Sequence, residues 1–287
     1  MPIQPIVAAL APAFVAFAVF AFVARLRTVP AWSHALGGAS VMLGAILGMI
    51  AVIGVPNFLP TEAAQWLIYA AIVLAAFAVF EHLWRNRRAP RIVARVVMLL
   101  LLISLILRPL LQHTWPASKS VLLLAAFTAL IVALWESHDA CARREAPAGF
   151  AVLLLLGLIA GSVLCLFSGS AKLAQLSGCV VSAFCGASIA TWWNPQRYPI
   201  SGLLAVAWPL SGLIWVQAFC YAEASVWPML LLIAALVAPW LTRMSILRHR
   251  KPWQRLAAAA AVQAPLLTCA VFMAYRTYIS SADEYGY

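Results

Sequence analysis

The densest group of reactive side chains is Glu136-Ser137-His138-Asp139-Ala140-Cys141, in which Glu136, His138, Asp139 and Cys141 are potential metal ligands or proton carriers. Metal chemistry needs such ligands to converge on one point at matched depth. Arg143 and Arg144 follow at once, and the plainer expectation is that the acids pair with them on a polar connection. No haem site is expected either, because His34, His82, His113, His138 and His249 all fall near the ends of apolar runs rather than within them.

Intramembrane hydrolysis leaves recognisable spacings, and the chain lacks them. There is no HExxH pair for zinc, no GxSxG nucleophile turn and no aspartate inside an apolar run. Gly186-Ala187-Ser188-Ile189 begins like a rhomboid-type serine motif but lacks its second glycine, and no later run carries a histidine to act as base. The six cysteines include no CxxC and read as small apolar residues. No catalytic residue, metal or cofactor is therefore expected.

The elements that would position any site are hydrophobic helices. With 65% hydrophobic and 9% charged residues, the composition is that of a chain whose surface meets lipid. Apolar runs recur at about 3–24, 33–54, 63–84, 92–111, 118–136, 148–167, 172–193, 199–221, 225–242 and 255–275. Each is near the roughly 20 residues that cross hydrocarbon as a helix. The expected fold is an all-α, polytopic transmembrane bundle of about ten spans forming a single integral domain over residues 1–287.

Basic residues orient it. If the N-terminus is outside, fifteen of the nineteen lysines and arginines lie on inner connections, and only Arg108, Lys119, Lys172 and Arg276 lie outside. That is the asymmetry of the positive-inside rule. It predicts an N-out, C-out, multi-pass protein of the cytoplasmic (plasma) membrane, with the first run kept as an anchor because Arg25 and Arg27 follow it. The formal charge of +11 then reflects one face meeting anionic lipid, not a nucleic-acid partner. Arg85, Arg87, Arg88, Arg91, Arg248, Arg250 and Lys251 are the expected headgroup contacts. Most tryptophans, Trp135 among them, sit near span ends as interfacial anchors would.

Within the spans, small residues at four-residue spacing predict close helix packing through Gly44 and Gly48 in the second and Gly178, Ser182 and Gly186 in the seventh. The eighth span contains Trp208-Pro209-Leu210-Ser211-Gly212. Pro209 removes a backbone donor, so a kink or unwinding is expected there, and freed carbonyls at membrane depth need a protein or aqueous partner. Trp208, Ser211, Gly212, Trp215 and Gln217, with Ser182 and with Gln263 beside Pro265 in the tenth span, are the candidate cavity residues. Glu81 is the one carboxylate set inside a boundary, with Arg85 one turn on as its expected partner.

Ten spans divide into five plus five, and halves with odd span counts are oppositely oriented. Leu36-Gly37-Gly38-Ala39 resembles Leu176-Ser177-Gly178-Cys179, and Met98 through Pro109-Leu110-Leu111 resembles Met229 through Pro239-Trp240-Leu241. These alignments predict an inverted repeat with halves of about 1–145 and 146–287, a build recurrent in secondary transporters. In length and span count alone the chain resembles the drug/metabolite transporter superfamily; no shared motif carries the likeness. The functional expectation is a small-solute permease or flippase with its cavity among spans two, seven, eight and ten. The alternative is a non-catalytic structural or assembly subunit whose partners are other membrane subunits or a second copy.

Cysteines placed at Ala89 and Ser281 in a background without the natural thiols should be labelled from opposite faces of intact cells, the first only after permeabilisation. Equal labelling of both from outside would overturn the ten-span arrangement.

Overall fold

The computed structural model describes residues 10–19, 21, 33–60, 62–84, 87–143, 147–193, 200–244, 247 and 249–284. Most of these residues are helical, and none of them forms a strand. Helix α1 is described over Leu10–Val19. It is followed by α2 (Ser33–Ile53), a 3₁₀ turn (Ala63–Gln65), α3 (Trp66–Leu83), α4 (Arg88–Ile106), α5 (Arg108–His113) and α6 (Ala117–Ala142). Then come α7 (Pro147–Phe167), α8 (Ala171–Trp193), α9 (Ile200–Tyr221), α10 (Val226–Val237), a 3₁₀ segment (Ala238–Arg243) and α11 (Pro252–Glu284).

Among the described residues nine helical segments are long and apolar enough to cross a membrane. They begin and end close to the predicted second to tenth spans. Of the predicted first span, residues 10–19 and 21 are described, and they are helical. Two helices are longer than predicted. At 1.5 Å per residue α6 is about 39 Å and α11 about 50 Å long, against roughly 30 Å of hydrocarbon. The extra length of α6 carries Glu136 to Cys141 inside a helix, correcting their assignment to a connection.

Helix α9 is the axis of the bundle. It carries no charge, and every residue from Ile200 to Ala218 except Trp215 is buried. It packs against α2, α3, α4, α6, α7 and α8. Pro209 lies inside the helix, and the predicted unwinding does not occur: residues 200–221 are helical throughout. One missing N–H leaves one carbonyl without its usual donor, and the packed neighbours on all sides hold the remaining turns in place.

The predicted small-residue packing divides in two. A Cβ on Gly44 would lie 2.5 Å from the Pro12 carbonyl oxygen, one on Gly48 2.5 Å from the Pro12 ring, and one on Gly186 2.0 Å from the Ala13 carbonyl oxygen. These three glycines form the seat in which α1 lies against α2 and α8. Gly178 differs, for a Cβ there would meet nothing nearer than the Ser162 hydroxyl at 3.9 Å.

Gly186→Ala should therefore lower the unfolding temperature of the purified protein, with an overpacking cost of about 1–3 kcal/mol. Gly178→Ala, with room for its methyl, should leave that temperature unchanged or raise it slightly. Equal melting of the two variants would show that α1 does not occupy this seat.

Candidate functional site: a two-part cavity beside a buried ion network

The charged residues nearest the membrane interior form a network joining the ends of three helices. Arg95 on α4 is 1% exposed; it donates to Glu81 on α3 and, at 2.7 Å, to Glu136 on α6. Arg91, one turn earlier, donates to Glu136 at 3.0 Å and lies 3.8 Å from Asp139. Arg143 donates to Asp139 at 2.8 Å, as expected; Arg144 lies outside the described residues. The Arg95 guanidinium also lies 4.1 Å over the Trp135 ring, a favourable stack for a desolvated cation. Arginines 91, 95 and 143 thus face carboxylates 81, 136 and 139, and the group is charge-balanced.

Several sequence expectations change here. Glu81 pairs across helices with Arg95; Arg85 lies outside the described residues. Arg91 is buried against carboxylates instead of reaching headgroups. Trp135 is a buried shelf for Arg95, not an interfacial anchor. Among the other expected headgroup contacts, Arg87, Arg88, Arg250 and Lys251 are exposed, and Arg248 is outside the described residues. The signal that locates the network is a pair of matched spacings: Arg91 and Arg95 four apart on α4, and Glu136 and Asp139 three apart on α6, each pair sharing one helical face.

The other half of the Glu136–Cys141 group faces the opposite way. Helix α10 tightens into 3₁₀ geometry after Val237, with Ala238 donating to the Ala235 carbonyl. The next 3₁₀ donor, to the Leu236 carbonyl, would be residue 239, which is proline and has no N–H. His138 supplies that bond, its Nε2 standing 2.8 Å from the Leu236 oxygen. A carbonyl only accepts, so Nε2 carries the proton. Cys141 Sγ lies 3.7 Å from the Pro239 oxygen. The side chains of 136 and 139 on one face and 138 and 141 on another do not converge, and no cluster of three potential metal ligands occurs among the described residues.

His138 also meets Trp208 edge-on at 4.3 Å, and Trp208 meets Trp215 at 5.7 Å. The two indoles lead into an apolar cavity of about 200 Å³ between α6, α9 and α10. Its wall includes Phe127, Ile131, Trp208, Gly212, Trp215, Phe219, Met229 and Leu232, and no polar atom contributes to it. Two glycines shape it. A Cβ on Gly212 would meet Ile131 at 3.0 Å, and one on Gly161 would strike the Trp215 indole at 2.4 Å, so Gly161 on α7 is what admits the Trp215 ring. Helix α10 is not among the close neighbours of α9, and the gap between them is this cavity. It opens sideways between α6 and α10, where the lining residues Val226 and Leu230 are 52% and 48% exposed.

A second cavity, of about 810 Å³, adjoins it toward the basic face. Arg88, Arg91, Glu136, Asp139, Arg143, Trp240 and Arg243 line it. Leu130 and Leu134 on α6 line both cavities, so an apolar slot and a charged vestibule lie against one stretch of that helix.

Of the predicted cavity residues, Trp208, Gly212 and Trp215 line the apolar slot. Ser211 is fully buried with its hydroxyl unpartnered, and it is not part of that wall. Gln217 donates to the Ala63 carbonyl at 3.0 Å, and Gln263 donates to the Leu153 carbonyl at 2.9 Å. Both act as inter-helix ties. Ser182 is half-buried on α8, away from either cavity.

The nine apolar helices among the described residues and this architecture define an integral, multi-pass helical membrane protein. Comparison with known proteins adds no narrower class: no protein-family model, curated protein or solved structure is significantly similar to the chain.

Proposed function

We propose that the protein is a permease or flippase for amphiphiles, with the apolar slot and charged vestibule as its working volume. The observation that carries this is the shared wall at Leu130 and Leu134, which places guanidinium groups and a dry, laterally open slot within reach of one molecule. A fully hydrophilic solute gains nothing from the slot, and a purely apolar one gains nothing from the arginines. A molecule with both parts uses both.

The predicted inverted repeat supports a transport reading. Pro109 and Pro239 occupy aligned positions, and the carbonyl three residues before each accepts from a side chain of another helix: Ile106 from the Tyr221 hydroxyl at 2.9 Å, Leu236 from His138. The packing of α2 on α3 and of α8 on α9 is likewise equivalent under such a repeat, as is that of α4 on α6 and of α10 on α11. The contact of α2 with α9 has no strong counterpart between α8 and α3, so the halves differ where the axis helix is seated. A carrier is proposed over an enzyme because Glu136, His138, Asp139 and Cys141 are each engaged in ion pairs or at helix-end carbonyls.

The alternative, a non-catalytic subunit of a larger complex, would need a helix face suited to protein more than to lipid. The stripe Val93, Val97 and Leu101 on α4, 60%, 51% and 60% exposed, is as apolar as lipid itself and does not favour it.

Reconstituted into liposomes, the protein should accelerate transbilayer movement of fluorescent single-chain amphiphiles, read by dithionite quenching. Leu230→Trp, which places an indole at the lateral mouth, should slow this at least fivefold without lowering the unfolding temperature. Movement no faster than in empty vesicles, for amphiphiles and small solutes alike, would remove the transport reading.

A further inference from the structure

We infer that the two-part cavity is a binding site for a single-chain phosphomonoester amphiphile, with its phosphate among Arg88, Arg143 and Arg243 and its chain in the slot between α6 and α10. The inference rests on the proposed reading of this cavity as the working volume, and it names the ligand class that the charges and dimensions select.

Charge selects the headgroup. The vestibule is lined by four arginines, at 88, 91, 143 and 243, and two carboxylates, Glu136 and Asp139, leaving a net charge of +2 on its wall. Arg91 is committed to Glu136, and Arg143 shares Asp139 with it. Arg88 and Arg243 are exposed and have no carboxylate partner among the described residues. They come from opposite walls, α4 and the 3₁₀ segment after α10, and can close on one anion from two sides. Guanidinium forks match phosphate oxygens in geometry. A phosphomonoester carries about −1.5 to −2 near neutral pH, which balances the wall; a carboxylate neutralises half of it.

Dimensions select the tail. The slot follows α10 from Val226 to Leu236, about 15 Å at 1.5 Å per residue. Its 200 Å³ spread over that length makes a narrow channel without room for two hydrocarbon chains side by side. From Arg143 to Phe127 along α6 is about 24 Å, more than half of the roughly 30 Å hydrocarbon thickness. A chain whose phosphate sits at the basic face therefore reaches past the midplane along Leu134, Leu130 and Phe127. The lateral mouth lets it enter from the leaflet without crossing water.

The test is binding of fluorescent lysophosphatidate to the full-length protein in phosphatidylcholine nanodiscs, with inorganic phosphate, monoacylglycerol and oleate as competitors. Saturable binding, weakened at least tenfold in Arg88→Gln/Arg243→Gln and competed at least tenfold better by unlabelled lysophosphatidate than by any of the three, is the expected result. Unchanged affinity in the double variant would overturn the headgroup assignment. Equal competition by inorganic phosphate would show that the chain contributes nothing, and equal competition by monoacylglycerol or oleate would show that the phosphate is not selected; either result overturns the proposal. Because the two arginines are exposed, an unchanged unfolding temperature separates lost binding from lost fold. Binding without transbilayer movement upholds this site and contradicts the flippase reading. Movement that persists in a double variant unable to bind upholds the binding site and contradicts its being the path of transport.

Discussion

Burying the Arg91 and Arg95 guanidinium groups with the Glu81 and Asp139 carboxylates, and Glu136 half-buried beside them, is the most demanding feature of this fold, and the ends of α3, α4 and α6 are arranged around meeting that demand. A buried ion pair is tolerated only when its partners satisfy each other closely. Arg95 achieves this by standing between Glu81 and Glu136 with Trp135 beneath it. No single helix contains such a set, so the network forms only when the three ends converge. That convergence fixes the rotation of α6, and the rotation sends His138 and Ile131 toward α9 and α10 while Glu136 and Asp139 face α4. The charged vestibule and the apolar slot are the two sides of one helix so oriented.

Proline supplies a second constraint. Leu236 loses its 3₁₀ donor because residue 239 is proline, and His138 restores the bond. The same substitution of a side chain for a backbone donor occurs at Ile106, three residues before Pro109, where Tyr221 donates. In lipid an unsatisfied carbonyl costs several kcal/mol, so each cap ties a broken helix end to a neighbouring helix. His138 thereby tethers α10 to α6 at the basic end. The Trp208 ring, packed against His138, roofs the junction.

Helix positions were legible in the sequence because each apolar run is long and the arginines mark its ends. The burial of α9 was legible in part, since a span with no charge and many small residues suits a bundle axis. The ion network was not. Arginines near a span boundary look the same whether they sit on a connection or one turn inside a helix, and the assumed ends of α4 and α6 were four and six residues short. Those few residues brought Arg91 and Asp139 into the helices, beside Arg95 and Glu136 just within the expected ends, and made the four partners in one network. The apolar slot was approached through Trp208 and Trp215, yet for a reason the structure replaces. Pro209 opens no gap in α9; the slot exists because α10 stands away from it and Gly161 makes room for an indole.

The dependence of this architecture on the buried network is tested most directly by a double-mutant cycle on Glu81 and Arg95, read by equilibrium unfolding of the purified protein. Arg95→Met and Glu81→Leu should each cost about 3–5 kcal/mol by leaving the buried network with one uncompensated charge. The double variant should recover much of that loss, with a coupling energy of about 2 kcal/mol or more; folding of the double variant where a single one fails would be the same result. Additive effects of under about 1 kcal/mol each, as surface pairs give, would contradict the account.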